Sequence, residues 1–351
     1  MPQIRCSSQE KTTLAGRKFI LHRRSDLGPV LTGIKAGIPD ELVTGPPVLI
    51  IHYISSVKDG TLVELGYPVH IPFENSSIET LTLPKTRFMC IDHRGPMAEL
   101  GKAYGDLFGY ADAKGLVSDE FGVEVLHDVS NPDSCSIEAR LVVHGWNGLF
   151  RENLERVLGV AEARRILGDC AGITEDTNLD TRFELVRSAI ERLDSSADDF
   201  QRYDCVSGCA HVFPPEQVAK LRASFTGARE EGLGFLEAVD RVISFMDSDP
   251  GWSEKATRQD HTILTSKGPR DRQAHEAAET PDARAAAACF CPIIRTRLRD
   301  GMPQTFCYCG AGWFRQQWEG ATGMPVRVEI LGSLLKGDPE CRFAIHLPKE
   351  H

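Results

Sequence analysis

Two rhythms of apolar and polar positions divide the chain near residue 145. Before it, apolar residues alternate with polar ones or come in short bursts, as in half-buried or buried strands. After it, they return every three or four positions, the period of an amphipathic helix. Residues 48–53 (VLIIHY) predict a buried strand, Lys58-Asp59-Gly60 a turn, and 61–69 a second strand. The same hairpin recurs downstream: 123–128 leads through Asn131-Pro132-Asp133 into 135–143. With the hairpins superposed, Asp59 matches Asp133, Glu64 matches Glu138 and Val69 matches Val143. The strand before each hairpin aligns with a shift of one residue.

A strand and a helix precede each hairpin. In the second copy the strand is 80–91, and Pro96 opens a helix at its first position. Its apolar residues Met97, Leu100, Tyr104, Leu107 and Phe108 form one stripe. In the first copy the strand is 18–22, followed by a shorter, glycine-interrupted helix over 29–42. The unit is strand-helix-strand-strand, twice. Such a duplication predicts two curved sheets flanking a central groove, a natural concave ligand site. If Glu64 and Glu138 face that groove, they and Tyr53, Tyr67 and Tyr104 suit a flat cationic or weakly basic ligand. The competing reading makes both glutamates solvated hairpin residues.

Beyond residue 145 the pattern predicts a helix over 151–167, interrupted at Gly159, and one capped by Asp180 with the stripe Phe183, Val186, Ile190 and Leu193. Pro214-Pro215-Glu216 starts another helix, and 233–246 makes a further one. Residues 266–287, polar and then alanine-rich, read as a mobile loop running into a short helix or strand. From Phe290 the chain reads as strands, then a helix over 311–322 carrying Trp313, Phe314 and Trp318 with a Gly323 stop, then strands over 326–331 and 342–347. The fold class is α+β, with an N-terminal tail over 1–16, a duplicated domain over 17–145, and a helical plus antiparallel-sheet domain over 146–351.

The chain has 351 residues, 41% of them apolar, enough for two packed cores. A net charge of −10 argues against a nucleic-acid surface, and no helix pair reads as a helix-turn-helix. Arg295, Arg297 and Arg299 form a local basic run. The N-terminus shows no signal-peptide core, and the longest apolar run, 46–51, is too short for a bilayer. A cytoplasmic location without membrane attachment is expected. There thiols stay reduced, so clustered cysteines read as metal ligands or reactive groups before disulfides.

Eleven cysteines are present, and six fall into close pairs: Cys205 with Cys209, Cys289 with Cys291, and Cys307 with Cys309; Cys341 follows alone. Structural zinc draws four S or N ligands, commonly two from each of two knuckles, which Cys205 and Cys209 with either of the other pairs supply. Successive same-face residues on a strand hold their sulfurs apart, so both reach one metal only where the backbone turns, as Pro292 and Gly310 allow. Iron–sulfur clusters also take four thiolates, but their usual spacings are absent. A metal site, a reactive thiol and plain apolar packing all stay open. Cys6, Cys90, Cys135 and Cys170 read as packing. His211 is either a ligand or a cap. Ser207, Cys209 and His211 lie close in sequence, which is weak grounds for a triad.

The pieces Gly45-Pro46-Pro47, Asp59-Gly60, Glu64, Pro68-Val69, Leu83-Pro84, His93-Arg94-Gly95-Pro96 and Ile137-Glu138, in this order, resemble the GyrI-like small-molecule-binding domain over about 17–145. That family includes effector-binding domains of multidrug-responsive and AraC-type regulators. The resemblance implies drug-like ligands held at a central glutamate, here Glu138. Some stand-alone members resemble hydrolases that open cyclopropane-containing genotoxins with acidic and tyrosine groups, and Glu124 is the second acidic candidate beside Glu138. The short first helix departs from the pattern.

Cys307, then Gly323-Met324-Pro325-Val326, then Gly337-Asp338-Pro339-Glu340-Cys341-Arg342-Phe343 resemble the 4-vinyl reductase-type domain. Its sensor members hold zinc through four residues. Cys307 and Cys341 take the outer positions, but the inner two fall on Ile330 and Ser333, with Glu329 one residue off register. Members with this domain often pair, which implies a homodimer. Together the resemblances imply a sensor or sequestering protein for small organic molecules. The alternative is a hydrolase acting on a strained or heterocyclic compound.

Overall fold

A computed structural model describes residues 3–57, 60–114, 116–174, 176–210, 213, 215–249, 252 and 254–349, with the side chains of 53–57, 117–120, 144, 215 and 216 outside the description. The chain divides into two compact units, Met1–His144 and Gly145–His351.

The first unit runs β1 (Arg5–Gln9), β2 (Thr12–Leu21), α1 (Leu27–Ala36), β3 (Val48–Val57), β4 (Gly60–Pro68), β5 (Glu79–Leu83), β6 (Thr86–Gly95), α2 (Leu100–Ala113), β7 (Val117–Asp128) and β8 (Cys135–His144). Its strands form one eight-stranded sheet in the order β1-β6-β8-β7-β3-β4-β2-β5. The order reads the same from either edge once the repeats are exchanged. The duplication is therefore real in three dimensions, but the expected pair of sheets is a single sheet. β3 and β7, one from each repeat, pair antiparallel along Val48–His52 and fuse the halves.

The pairing registers repeat as well. Leu14 faces Pro68 in the first copy and Phe88 faces Val142 in the second; Ile50 faces Glu64, and Val125 faces Glu138. The segment expected as a tail contains β1. The offset that carries Glu64 onto Glu138 carries β1 onto β5, and each pairs with the other repeat's outer strand: Arg5 with Cys90, Glu79 with Gly16. The single strand expected over 80–91 is divided into β5 and β6 because Pro84 cannot donate to a ladder. Gly16 and Gly66 face each other where β2 and β4 cross closely. A Cβ on Gly16 would lie 2.1 Å from the Leu65 carbonyl oxygen, so the crossing admits only glycine there.

Both helices cover one sheet face, burying Leu27, Leu31 and Ile34 of α1 and Leu100, Ala103 and Leu107 of α2 against Leu49, Ile51, Val63, Leu65, Ile137 and Ala139. Alternate residues point to the other face, where Leu14, Val48, Ile50, Leu83, Val123 and Val142 make a second buried layer. The helix expected over 29–42 ends at Ala36, and a 3-10 turn, Asp40–Leu42, follows. A 3-10 turn, Met97–Glu99, separates Pro96 from α2, and Phe108 is exposed rather than part of the buried stripe.

The second unit contains α3 (Trp146–Leu158), α4 (Val160–Leu167), α5 (Leu179–Ser196), α6 (Asp199–Ser207), α7 (Pro215–Glu230), α8 (Phe235–Ser248), β9 (Lys255–Gln259), β10 (Thr262–Lys267), α9 (Arg272–Ala277), α10 (Pro281–Ala288), α11 (Tyr308–Thr322), β11 (Arg327–Gly332) and β12 (Cys341–His346). The strands form an antiparallel sheet in the order β11-β12-β10-β9. Gly159, at φ +84°, separates α3 from α4. Gly323 ends α11 in the left-handed conformation.

Two expectations are met only in part here. The hairpin β9–β10 lies just ahead of the stretch read as a mobile loop, and 266–287 continues from β10 into two short helices. The stretch after Phe290, read as strands, consists of turns and a 3-10 segment, Gln304–Cys307. Charged residues interrupt the local period in both places, and alanine runs do so in the first. Among the described residues, no helix is long and apolar enough to cross a membrane.

Candidate functional site

The most unusual group in the first unit is Glu124. Antiparallel pairing sets it opposite Leu49 at the junction of the repeats, on the helix-bearing face, and it is 0% exposed. A carboxylate removed from water requires charge compensation and hydrogen bonds. Arg24, from the 3-10 turn Arg24–Asp26 before α1, donates from Nη1 to Oε2 and from Nη2 to Oε1, both at 2.6 Å. The Tyr104 hydroxyl, from α2, donates to Oε1 at 3.0 Å. The second copy supplies the carboxylate and the phenol, and the first supplies the cation.

Glu64 and Glu138 occupy equivalent places, but on the opposite face. Glu64 accepts from His52 at 3.2 Å and pairs with Lys18 at 3.5 Å. The His52 hydrogen bond holds its carboxyl below the ordinary carboxylate range. Glu138 lies between Arg5, at 3.1 Å, and Arg140, at 2.5 Å, while Arg5 also grips Asp92. Three strand intervals separate β4 from β8, or about 14 Å. Neither member lines the helix-covered face. On β8 the neighbours of Glu138, Ile137 and Ala139, take the positions that face the helices.

Of the tyrosines, Tyr104 joins Glu124. Tyr67 lies on the helix-covered side, where burial raises its phenol and the Lys35 ammonium sits 5.6 Å from the ring centroid. The side chain of Tyr53 lies outside the described residues, as do Asp59 and His211. Arg24 escaped sequence reasoning because nothing distinguishes it from Arg23 in a polar run.

Eight of the eleven cysteines lie in the second unit, no disulfide joins any of the described cysteines, and Cys6, expected as a packing residue, is exposed in the first unit. Cys205 and Cys209 are buried near the end of α6, where the Cys209 thiol donates to the Cys205 carbonyl at 3.3 Å. Cys309 donates to the Cys209 carbonyl at 3.4 Å. Cys307 Sγ meets Ser333 Oγ at 3.3 Å. Burial pushes the thiols of Cys205 and Cys307 up to about 12 and those of Cys289 and Cys309 up to about 11.

Zinc takes thiolates in a closed tetrahedron. Among the described residues, no group of three or more His, Cys, Asp or Glu side chains is arranged to hold a metal ion. The residues as placed do not fit zinc. The expected ligands Cys205, Cys209, Cys289, Cys291, Cys307, Cys309 and Cys341 are therefore a thiol cluster without a metal geometry.

No family model matches the chain, and no curated protein matches it. Solved structures similar to it include a complex of EcmrR with DNA, at 15% identity and TM-score 0.36, covering 40% of this chain and 57% of that one. A Listeria innocua hydrolase is similar at 11% identity and TM-score 0.33, with coverages of 41% and 93%. SAV2435 bound to tetraphenylphosphonium is similar at 13% identity and TM-score 0.29, with coverages of 42% and 96%.

Proposed function

We propose that the chain is a small-molecule-binding protein, a sensor or sequestering protein, whose first unit takes organic cations at Glu124. The observation that carries this reading is the fully buried carboxylate held by a guanidinium that is itself one-third exposed. A facing cation lowers the cost of burying such a carboxylate, and a ligand cation competes with Arg24 for the same seat. Tyr104 offers the ring on which an aromatic cation stacks. The GyrI-like pattern of the sequence supports the same ligand class.

Hydrolysis with Glu124 as general base is the second reading, favoured by the hydroxyl of Tyr104 within 3.0 Å. It is the weaker one. Two guanidinium N–H groups and a phenol already occupy three of about four lone-pair sites on the carboxylate, leaving little capacity to accept a proton from water.

Equilibrium dialysis with tetraphenylphosphonium, a bulky aromatic cation, tests the reading on the whole chain. The wild type should bind, and Glu124→Gln should lose about tenfold or more in affinity, the worth of one charge-assisted contact. Equal binding by both proteins, or none by the wild type, would remove Glu124 as the cation seat. Loss of turnover with retained binding in Glu124→Gln, for any compound the protein converts, would favour the hydrolase.

A further inference from the structure

The second unit holds a cavity that the proposed cation seat does not use. α7 and α8, joined by residues 231–234, pack side by side and bury Leu221, Phe225, Val239 and Val242 on their inner faces. On the outer flank the helical period brings Lys220, Ala223 and Ser224 of α7 to the seam, and Arg241, Ser244, Phe245 and Ser248 of α8. Most of these side chains are short. The seam therefore stays open as a groove of about 790 Å³, within the size range of small-molecule sites. Phe245 packs partly on the core beneath and gives the groove an aromatic floor.

The uncommitted polar groups of the groove are donors. Among the described residues Lys220 makes no ion pair and the Ser224 hydroxyl makes no hydrogen bond. Arg241 holds Glu231 through Nη2 alone, at 3.0 Å, and both side chains are about half exposed. The hydroxyls of Ser244 and Ser248 donate to the Asp240 and Phe245 carbonyls of their own helix. Two carboxylates of α8 are answered from β9, where Arg258 takes Asp240 and Lys255 takes Asp247. Asp249, at the end of α8, is the one carboxylate among the described lining residues. The lining therefore carries an excess of positive charge in a chain of net charge −10.

We propose that this groove binds aromatic anions, a carboxylate or sulfonate carried on a flat ring system. The anion sits between Lys220 on one wall and Arg241 on the other, and Ser224 donates a third hydrogen bond. The ring system lies on Phe245 and Ala223. Glu231 gives way to the ligand because an exposed ion pair holds Arg241 only weakly. The ligand class is opposite in charge to that proposed for Glu124, and the groove lies in the other unit.

Anilinonaphthalene sulfonate, an aromatic anion whose fluorescence rises on an apolar surface, is the probe. Titration of the full-length protein should show saturable binding. Lys220→Glu combined with Arg241→Glu should weaken it about tenfold or more, the loss of two charge-assisted contacts. Lys220→Gln with Arg241→Gln, a milder change that adds no repulsion, should weaken it several-fold and guards against misfolding of the reversed pair. Lys11→Glu with Lys102→Glu makes the same change of net charge on exposed positions of the first unit and should leave the affinity unaltered. Phenylnaphthylamine, the same rings without the sulfonate, should not distinguish the wild type from the Lys220 and Arg241 variants. No saturable binding of the sulfonate by the wild type would overturn the inference. So would an unchanged affinity in both Lys220 and Arg241 pairs. Equal weakening by the Lys11 and Lys102 pair would also overturn it, because the effect would then be the long-range field of the whole chain. None of these outcomes touches the Glu124 reading, because the probe carries no cation.

Discussion

The two halves of the first unit share strand order and register, yet differ at one pair along the seam where they meet. Leu49 of β3 and Glu124 of β7 are equivalent by the repeat and lie opposite each other in the sheet. One is a core leucine, and the other is the most buried carboxylate described. A duplicated fold thus keeps its packing in one copy and places a charge in the other, at the site both copies enclose. The charge is tolerable because the first copy supplies Arg24 and the second supplies Tyr104.

The comparison is broken most severely by making the halves alike in the wrong direction. Leu49→Glu would place a second carboxylate beside the first without a second guanidinium, and should cost more than about 4 kcal/mol. Urea unfolding followed by circular dichroism measures it; a loss under 1 kcal/mol would show that water reaches the position. Arg24→Ala leaves Glu124 uncompensated and should cost about 3 kcal/mol, the low end for a broken buried pair, because Arg24 is partly exposed. Adding Glu124→Leu, which restores the leucine of the first copy, should recover most of that loss; the double-mutant cycle gives the coupling directly. Tyr104→Phe removes one hydrogen bond to a charged acceptor and should cost about 1.5 kcal/mol.

The smallest effects belong to the far face. Glu64→Gln and Glu138→Gln should each cost less than about 1 kcal/mol, since their cations are partly exposed and other partners remain. Glu64 also sharpens the contrast through pH. Its carboxyl is held low chiefly by His52, so it stabilises the fold above the ordinary carboxylate range, and that contribution fades as pH falls through its lowered value. Acid unfolding of Glu64→Gln should lack this component. An unchanged acid limb would mean the His52 contact does not persist in solution.

Much of the first unit was legible in the residues. The recurrence of Glu64 as Glu138 and of Pro68-Val69 near Val143 marked the duplication, because a strand's period of two survives in sequence. The facing of those glutamates was not legible. Alternation separates two faces without saying which one the helices cover, and the hairpin glutamates fall on the uncovered side. In the second unit the cysteine spacing suggested knuckles, but spacing alone does not make sulfurs converge. Cys307 meets a serine, and Cys341 meets Lys267 across a strand pair whose partner, β10, was not foreseen.

By itself, the sequence determined the repeat, the class of each long element, and the concentration of thiols in the last third, all of which depend on periods and positions along the chain. Only the tertiary structure decided that Glu124 is the buried carboxylate, that Arg24 answers it from the other repeat, and that Lys267 stands against Cys341. Those contacts join residues far apart in the chain. They are set by sheet register and by which face the helices bury, and neither has a local signature in the sequence.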